Sequence, residues 1–213
     1  MRPEPTCPRC GRTVVPPNAR STDWTCAVHG AVLPLQPPAS PSEEGLAVVR
    51  ARARVPIWLP WPLPMGWLVT GFLHAGDEHT GARAAGVALS GPGLTAGPAD
   101  LLLIAEEVGV GLGARLAGLR GPDPGPGFDT GPAHAKVHAE GRPVPLWSVD
   151  AGPELAVYAG EARGRWLWAL LWPAEAGALM ADQFQFIDLR EPGMDLDLPF
   201  GAPCPRLDGL PGT

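Results

Sequence analysis

Four residues near the start of the chain combine the side-chain types and the spacing of metal ligands: Cys7, Cys10, Cys26 and His29. A Cys-x2-Cys turn places two thiolates on one side of a tetrahedral metal ion. The second pair repeats this spacing after fifteen intervening residues, with an imidazole nitrogen in place of the last thiolate. The pattern predicts a bound Zn²⁺. Because four protein ligands leave no open position for a substrate, the ion is expected to be structural.

Other uses of the cysteines stay open as alternatives to zinc. A redox or disulfide role needs paired thiols, and disulfides also need an oxidising compartment. The cluster instead has three cysteines and a histidine, and we expect no export signal before it. An iron–sulfur cluster would use a fourth thiolate, and Cys204 is far away in the sequence. Cys204 stands between prolines with no local feature that would lower its pKa, so we expect an incidental thiol.

The residues around the four ligands have the pattern of a zinc ribbon over residues 1–31. Gly11 and Gly30 follow the last ligand of each pair, where a positive φ lets backbone amides turn toward sulfur. Short β-like runs at 13–15 and 23–25 flank a proline-containing loop and predict a hairpin. We expect Trp24, in the second run, to cover one side of the metal ion.

The charge of the chain limits the partners that it can bind. The net charge is −6, although residues 1–30 carry about +2, so the remainder is strongly acidic. Extended contact with nucleic acid needs a surplus of Lys and Arg, because phosphates must be neutralised. The electrostatic argument for RNA or DNA is limited to the small basic face that Arg9, Arg12 and Arg20 would form.

Polar residues outside the ribbon could do acid–base chemistry if the fold gathered them. The candidates are Asp77, Glu78, His79, His134, Lys136 and His138. The first three lie in a predicted turn, and the last three share one face of a predicted strand at 133–139. Histidines four residues apart converge on a metal ion on a helix, whereas on a strand they lie about 13 Å apart. We therefore expect solvated side chains here rather than a second metal site.

The glycine-rich run 109–113 invites comparison with phosphate-binding loops. A dinucleotide-binding loop has the pattern G-x-G-x-x-G and a nucleotide P-loop has G-x4-G-K-[ST], and the run has neither. We expect a turn that leads into a short helix. The Pro/Gly-rich loop at 121–127 is expected to be a connector.

The pattern along the whole chain predicts an α+β fold, with the ribbon followed by a mainly antiparallel sheet and two or three helices. The expected boundaries are a zinc ribbon at 1–31, a proline-rich linker at 32–41, an α+β domain at 42–191 and a Pro/Gly-rich tail at 192–213. Helices are predicted at 42–54, where Ser42 is the cap, and at 174–180. Strands are predicted at 66–74, 82–90, 101–105, 133–139, 144–149, 155–159 and 166–172, the last of them central. Residues 184–189 fit either a helix or an edge strand.

Residues 55–76 contain no Asp, Glu, Lys or Arg and are long enough to be considered as a membrane span. Prolines at 56, 60, 62 and 64 break the complete helix that a bilayer requires. The prediction is an extended arm that leads into a strand, with no membrane contact. The tryptophans that flank the arm could bind a partner, although packing on the protein's own core is favoured.

Six runs of the sequence carry a family resemblance. They are Cys7-Pro-Arg-Cys10, Cys26-Ala-Val-His29-Gly30, and residues 55–64, 106–113, 134–137 and 167–169. Together they resemble an uncharacterised family of actinobacterial proteins that contain a zinc ribbon, and the likeness covers most of the chain. The resemblance implies a bacterial, cytoplasmic protein without an established activity.

The leading hypothesis is a cytoplasmic, zinc-stabilised binding or regulatory protein that is not a catalyst and whose partner is a protein. The first alternative is an enzyme that acts on a small acidic or acylated substrate, by acyl or phosphoryl transfer, with the candidate residues of the α+β domain. The second alternative is nucleic-acid contact through the ribbon. The sequence does not predict the oligomeric state.

Overall fold

A computed structural model describes residues 4–19, 21–94, 97–191 and 196–208, and most of the regular secondary structure in these residues is β-strand. The strands are β1 (Thr25–Cys26), β2 (Gly30–Ala31), β3 (Trp58–Pro60), β4 (Leu68–Asp77), β5 (Gly81–Pro92), β6 (Pro98–Glu106), β7 (Ala135–Ala139), β8 (Arg142–Val149), β9 (Ala156–Ala162), β10 (Arg165–Trp172) and β11 (Gln185–Asp188). The α-helices are α1 (Glu43–Arg52), α2 (Leu112–Leu116) and α3 (Pro205–Asp208), and a 3-10 helix spans Ala174–Ala181.

The strands form a two-stranded sheet, β1-β2, and a nine-stranded sheet in the order β3-β11-β7-β8-β9-β10-β6-β5-β4. Neighbouring strands of the large sheet are antiparallel except β11 and β7, which are parallel. The large sheet curls, so that β3 at one edge contacts β5 and β6 near the other. A mostly antiparallel sheet with a few short helices agrees with the predicted α+β class.

The large sheet is buried on both faces. Alternate side chains of β6 belong to two separate clusters of buried residues, with Leu101 and Leu103 in one and Leu102 and Ile104 in the other. Strand β10 is divided in the same way, and it lies between β9 and β6 in the middle of the sheet. Side chains on successive residues of a strand point to opposite faces, so a central strand covered on both faces must be apolar throughout. This confirms the prediction for 166–172.

The outer edge of β4 is covered by two distant parts of the chain. Residues 35–39, within the predicted linker, bridge Ala75 through Leu35 and Phe72 through Ala39. Near the other end of the chain, the Gly201 amide donates to Val69 and the Cys204 amide donates to Thr70, both at backbone carbonyls. The linker residues are therefore extended, as their prolines predict, and they are hydrogen-bonded to the sheet.

The structure has a helix at both predicted positions and a strand in the segment that the pattern left undecided. The side chain of Ser42 accepts a hydrogen bond from the amide of Gly45 at the start of α1, which confirms the predicted cap. The segment predicted as a helix at 174–180 is a 3-10 helix. Residues 185–188, which the pattern left undecided, form strand β11 between β3 and β7.

Residues 55–76, the segment tested as a membrane span, contribute β3 and most of β4. Among the described residues, no helix has both the length and the apolar character needed to cross a bilayer.

Candidate metal centre

The structure brings together the four predicted ligands, Cys7, Cys10, Cys26 and His29. Their ligand atoms all lie within 4.8 Å of one another. The Cys7 Sγ is 3.5 Å from His29 Nδ1, and the Cys26 Sγ is 3.7 Å from the same nitrogen. The Cys10 Sγ is 3.7 Å from the Cys26 Sγ. Cys7 and Cys26 are buried, whereas Cys10 and His29 are half-buried. This cluster could bind a metal ion.

Turns and short bridges hold the cluster. Gly11 and Gly30, which follow the last ligand of each pair, have φ values of 73° and 67°, a region that favours glycine. The backbone amide of Val28 donates to the Cys26 Sγ at 3.4 Å. Trp24 packs against the small apolar cluster that contains Cys7 and Cys26, which agrees with its predicted position beside the ligands.

The three thiols can be ionised together only beside a cation. Burial raises the pKa of Cys7. Burial also opposes ionisation of Cys26, but the amides of Val28 and His29 and the His29 side chain outweigh it and lower the pKa of that thiol. Three thiols around one point cannot all be ionised without a positive charge between them, and a bound metal ion supplies such a charge.

Two arginines fix the segment that carries the ligands to the large sheet. The Arg9 guanidinium donates to the carbonyl oxygens of Gly109 and Val110, with the Nε 3.1 Å from the Gly109 oxygen. In the opposite direction, Arg115 Nε donates to the carbonyl oxygen of Pro8 at 2.8 Å. Arg9 and Pro8 both lie between Cys7 and Cys10, so these bonds tie the first pair of candidate ligands to the loop after β6 and to α2.

A third attachment involves the second ligand pair. The indole Nε1 of Trp24 donates to the Asp77 Oδ2 at 2.9 Å, which ties β1 to the turn between β4 and β5. The other carboxylate oxygen of Asp77 accepts from the amides of His79 and Thr80. These hydrogen bonds lower the pKa of Asp77 against the opposing effect of burial. Asp77 therefore organises its own turn and also anchors Trp24 to that turn.

A buried carboxylate supports the loop that receives Arg9. Glu106 is fully buried and accepts hydrogen bonds from the amides of Leu112, at 2.8 Å, and Gly113, at 3.1 Å. Burial raises its pKa to about 7, although the two amides act against this rise. Gly113 packs against the ring of Trp168, where a Cβ would lie 2.4 Å from a ring carbon. The glycine-rich run is thus a turn into the short helix α2, as predicted.

A cleft of about 340 Å³ lies between the N-terminal segment that carries the four candidate ligands and the large sheet. The side formed by the N-terminal segment includes Arg9, Asp23, Trp24 and residues 31–33, and the sheet side includes Asp77, Arg83 and residues 107–110. Val108, on the sheet side, is 68% exposed. Glu107 pairs with Arg83 at 3.6 Å and with Arg165 at 3.1 Å. The cleft therefore combines an aromatic wall and an exposed apolar side chain with charges of both signs.

The structure does not join the six catalytic candidates into one site. Asp77, Glu78 and His79 lie in the turn between β4 and β5, where Glu78 pairs with Arg52 at 3.0 Å. Lys136 and His138 lie on β7, five strands away in the sheet order, and His134 directly precedes that strand. His134 Nδ1 accepts from the amide of Ser148 at 3.2 Å. Within the described residues, no hydrogen bond or ion pair connects the two groups.

The arginines of the predicted basic face have different environments. Arg9 is engaged by the carbonyl oxygens of the loop after β6, and Arg12 is exposed. Arg20 lies outside the described residues.

Several structural roles had no signal in the sequence. Arg115 and Glu106 act through partners that a local pattern does not reveal.

Cys204, expected to be incidental, is buried beside β4, and burial raises the pKa of its thiol. His74 is also buried, and burial together with the positive charge of Arg52 lowers its pKa to about 4.

The fold and the site define a class of protein: a Cys/His cluster capable of metal binding, fixed against one curled and mostly antiparallel sheet. A model of a family of unknown function, DUF6758, matches residues 1–207, and the chain therefore belongs to that family. No curated protein and no solved structure matches the chain.

Proposed function

We propose that the chain is a zinc-stabilised binding protein in which Cys7, Cys10, Cys26 and His29 hold a structural Zn²⁺. The cleft beside this site receives a segment of a partner protein. The observation that carries the proposal is the attachment of a closed four-ligand cluster to the sheet, which makes the ribbon one wall of a cleft. A cytoplasmic location suits the three thiolates, because that compartment keeps thiols reduced.

The ligand spacing supports zinc. With Zn–S bonds of about 2.3 Å and a Zn–N bond of about 2.0–2.1 Å, tetrahedral geometry gives S···S edges of about 3.8 Å and S···N edges of about 3.6 Å. The structure has an S···S distance of 3.7 Å and S···N distances of 3.5 and 3.7 Å. Four protein ligands complete the tetrahedron, so the ion would hold the ribbon together without binding a substrate.

Metal content is the direct test of the zinc site. Protein purified without a histidine tag is expected to carry one zinc ion per chain by native mass spectrometry and metal analysis. A strong chelator should remove it and raise amide hydrogen exchange in the ribbon and in residues 107–113, because Arg9 and Arg115 join the two. Cys204→Ser is the matched control and should keep its zinc. Protein that is folded but carries no metal would refute the zinc site.

The charges of the cleft favour a protein over a nucleic acid as the occupant. Two arginines, Arg9 and Arg83, face three acidic residues, Asp23, Asp77 and Glu107, and both arginines are engaged in hydrogen bonds or ion pairs. A polyanion would meet a surplus of carboxylates here, whereas a segment with an apolar side chain and a basic neighbour complements Val108, Trp24 and the acidic rim.

The edge of the small sheet supports an extended conformation for this segment. The amide of Val32 donates to the carbonyl oxygen of Trp24, so the amide and carbonyl of Ala31, the preceding residue in β2, point away from β1. Residues 31–33 line the cleft, and β2 is an edge strand of its sheet. An extended peptide can add to such an edge through backbone hydrogen bonds, with specificity from adjacent side-chain pockets.

Photo-crosslinking tests the location of the binding surface. A photoreactive residue at position 108 in native lysate is expected to give reproducible adducts that map to one segment of a partner protein. The same residue at position 94, which is 59% exposed in the turn between β5 and β6, is the control. A synthetic peptide of the mapped segment should then bind wild-type protein in calorimetry and bind the Val108→Glu variant at least tenfold more weakly. Identical adducts from positions 108 and 94, or a peptide that binds both proteins equally, would refute the proposal.

A further inference from the structure

We propose that the cluster is also a peroxide-sensitive switch, in which Cys10 and Cys26 form a disulfide and the metal ion leaves. Loss of the ion then loosens the ribbon from the large sheet. The inference rests on the proposed zinc site and adds regulation to it. It does not depend on the identity of the partner in the cleft.

The accessibility of the three thiols differs in the way that a switch requires. Cys7 is 0% exposed and Cys26 is 1% exposed, whereas Cys10 is half-buried and reaches the surface. A thiol that senses oxidants is typically accessible and has a resolving thiol beside it. The Cys10 Sγ lies 3.7 Å from the Cys26 Sγ, so the accessible thiol and a protected second thiol are already adjacent.

The reaction is balanced with hydrogen peroxide as the oxidant. The Cys10 thiolate attacks one peroxide oxygen, the O–O bond breaks, and hydroxide leaves while Cys10 becomes a sulfenic acid. The Cys26 thiolate then attacks the Cys10 sulfur, the S–O bond breaks, and a second hydroxide leaves. Two thiolates are oxidised and one peroxide is reduced. Cys7 and His29 are then the two remaining ligands, too few to hold the ion in a closed site.

The position of Cys10 connects this chemistry to the cleft. Arg9, which donates to the carbonyl oxygens of Gly109 and Val110, is the residue before Cys10, and Pro8, which accepts from Arg115, is two residues before it. Loss of the ion removes the constraint that places both residues against the loop after β6. Oxidation should therefore loosen residues 107–113 as well as the ribbon, and it would remove one wall of the cleft.

The experiment treats zinc-loaded, full-length protein with hydrogen peroxide and follows zinc release with a metal-sensitive dye. Peptide mapping locates disulfides, and hydrogen exchange monitors residues 107–113. The expected result is one zinc released per chain, a disulfide between Cys10 and Cys26, faster exchange at 107–113, and recovery of all three after a dithiol and zinc are added. Cys204, which is 2% exposed, should stay reduced and serves as the control within the same molecule.

A Cys10→His variant keeps a fourth zinc ligand but lacks the reactive thiol, and it should retain its zinc under peroxide. Zinc that stays bound in oxidised wild type, or that leaves without a Cys10–Cys26 disulfide, would overturn the inference while leaving the zinc site intact. Protein that carries no zinc before treatment would instead refute the proposed function.

Discussion

Glu106 provides a sharp prediction because it is a fully buried carboxylate without a countercharge among its hydrogen-bond partners. Its two oxygens accept from the amides of Leu112 and Gly113. At pH 5.5 the raised pKa keeps Glu106 protonated, and both oxygens of the neutral carboxyl can still accept. In Glu106→Gln, one oxygen can accept, but the new NH₂ group offers no acceptor to the other amide. A buried amide left without an acceptor costs about 1–3 kcal/mol. The variant should therefore unfold more easily than wild type at pH 5.5.

The pH dependence of this difference follows from the raised pKa of Glu106. Burial raises the pKa from 4.5 to about 7, so the folded state binds the proton more tightly than the unfolded state. The contribution of Glu106 to the free energy of unfolding is fully present below pH 4.5, the pKa in the unfolded state. This contribution is lost as the pH rises through about 7, the pKa in the folded state. Between pH 5.5 and 8.5, the wild type loses about 2 kcal/mol of unfolding free energy from this group. Glutamine does not titrate, so the variant does not lose this free energy. The difference in unfolding free energy between wild type and Glu106→Gln should therefore shrink by about 2 kcal/mol from pH 5.5 to pH 8.5.

Chemical denaturation of zinc-loaded protein at both pH values, followed by circular dichroism, measures this difference. Glu107→Gln removes a neighbouring carboxylate at the surface and controls for the change in net charge. If the stability difference between wild type and Glu106→Gln is the same at pH 5.5 and 8.5, the reasoning about a raised pKa is wrong.

Two further predictions concern buried positions away from the ligands. Gly113→Ala would place a Cβ 2.4 Å from the Trp168 ring and should lower the unfolding free energy by about 1–3 kcal/mol, whereas Gly121→Ala, with a nearest atom at 3.8 Å, should have a small effect in the same denaturation assay. His74→Gln should resist acid better than wild type. The pKa of His74 is lowered from 6.5 to about 4, so below pH 6.5 the unfolded state binds a proton that the folded state does not. The contribution of His74 to the free energy of unfolding is therefore present above pH 6.5 and is lost as the pH falls toward 4. Between pH 7 and 4.5 this loss is about 2–3 kcal/mol in wild type, and an equal loss in the variant would contradict the assignment.

The sequence allowed good prediction where a structural element depends on nearby residues. The spacing of Cys7, Cys10, Cys26 and His29 predicted a cluster because each pair is set by one short turn. Helix α1 was predictable from its cap and its charge pattern. Strand β10 was predictable as central because it is apolar on both faces.

The attachment of residues 8 and 9 to the large domain was not predictable, because it depends on long-range contacts without a local pattern. Arg9 and Gly109 are 100 residues apart in the chain, and Arg115 and Pro8 are 107 apart. An arginine near a ligand pair looks the same in the sequence whether it contacts nucleic acid or a backbone carbonyl. Likewise, alternating residues on β7 predicted a shared face for Lys136 and His138, but the place of that strand in the sheet is decided by the packing of the whole domain.

The coverage of β4 has a consequence for how the chain is made. A ribosome completes β4 long before it makes the residues that bond to Val69 and Thr70, which lie at 199–204. Until they emerge, that part of the strand has an open edge, and open edges pair readily with other chains. A chain truncated after residue 191 would keep the open edge permanently and should aggregate during expression. Residues 199–204 thus close this part of the edge only after all the strands of the large sheet have been made.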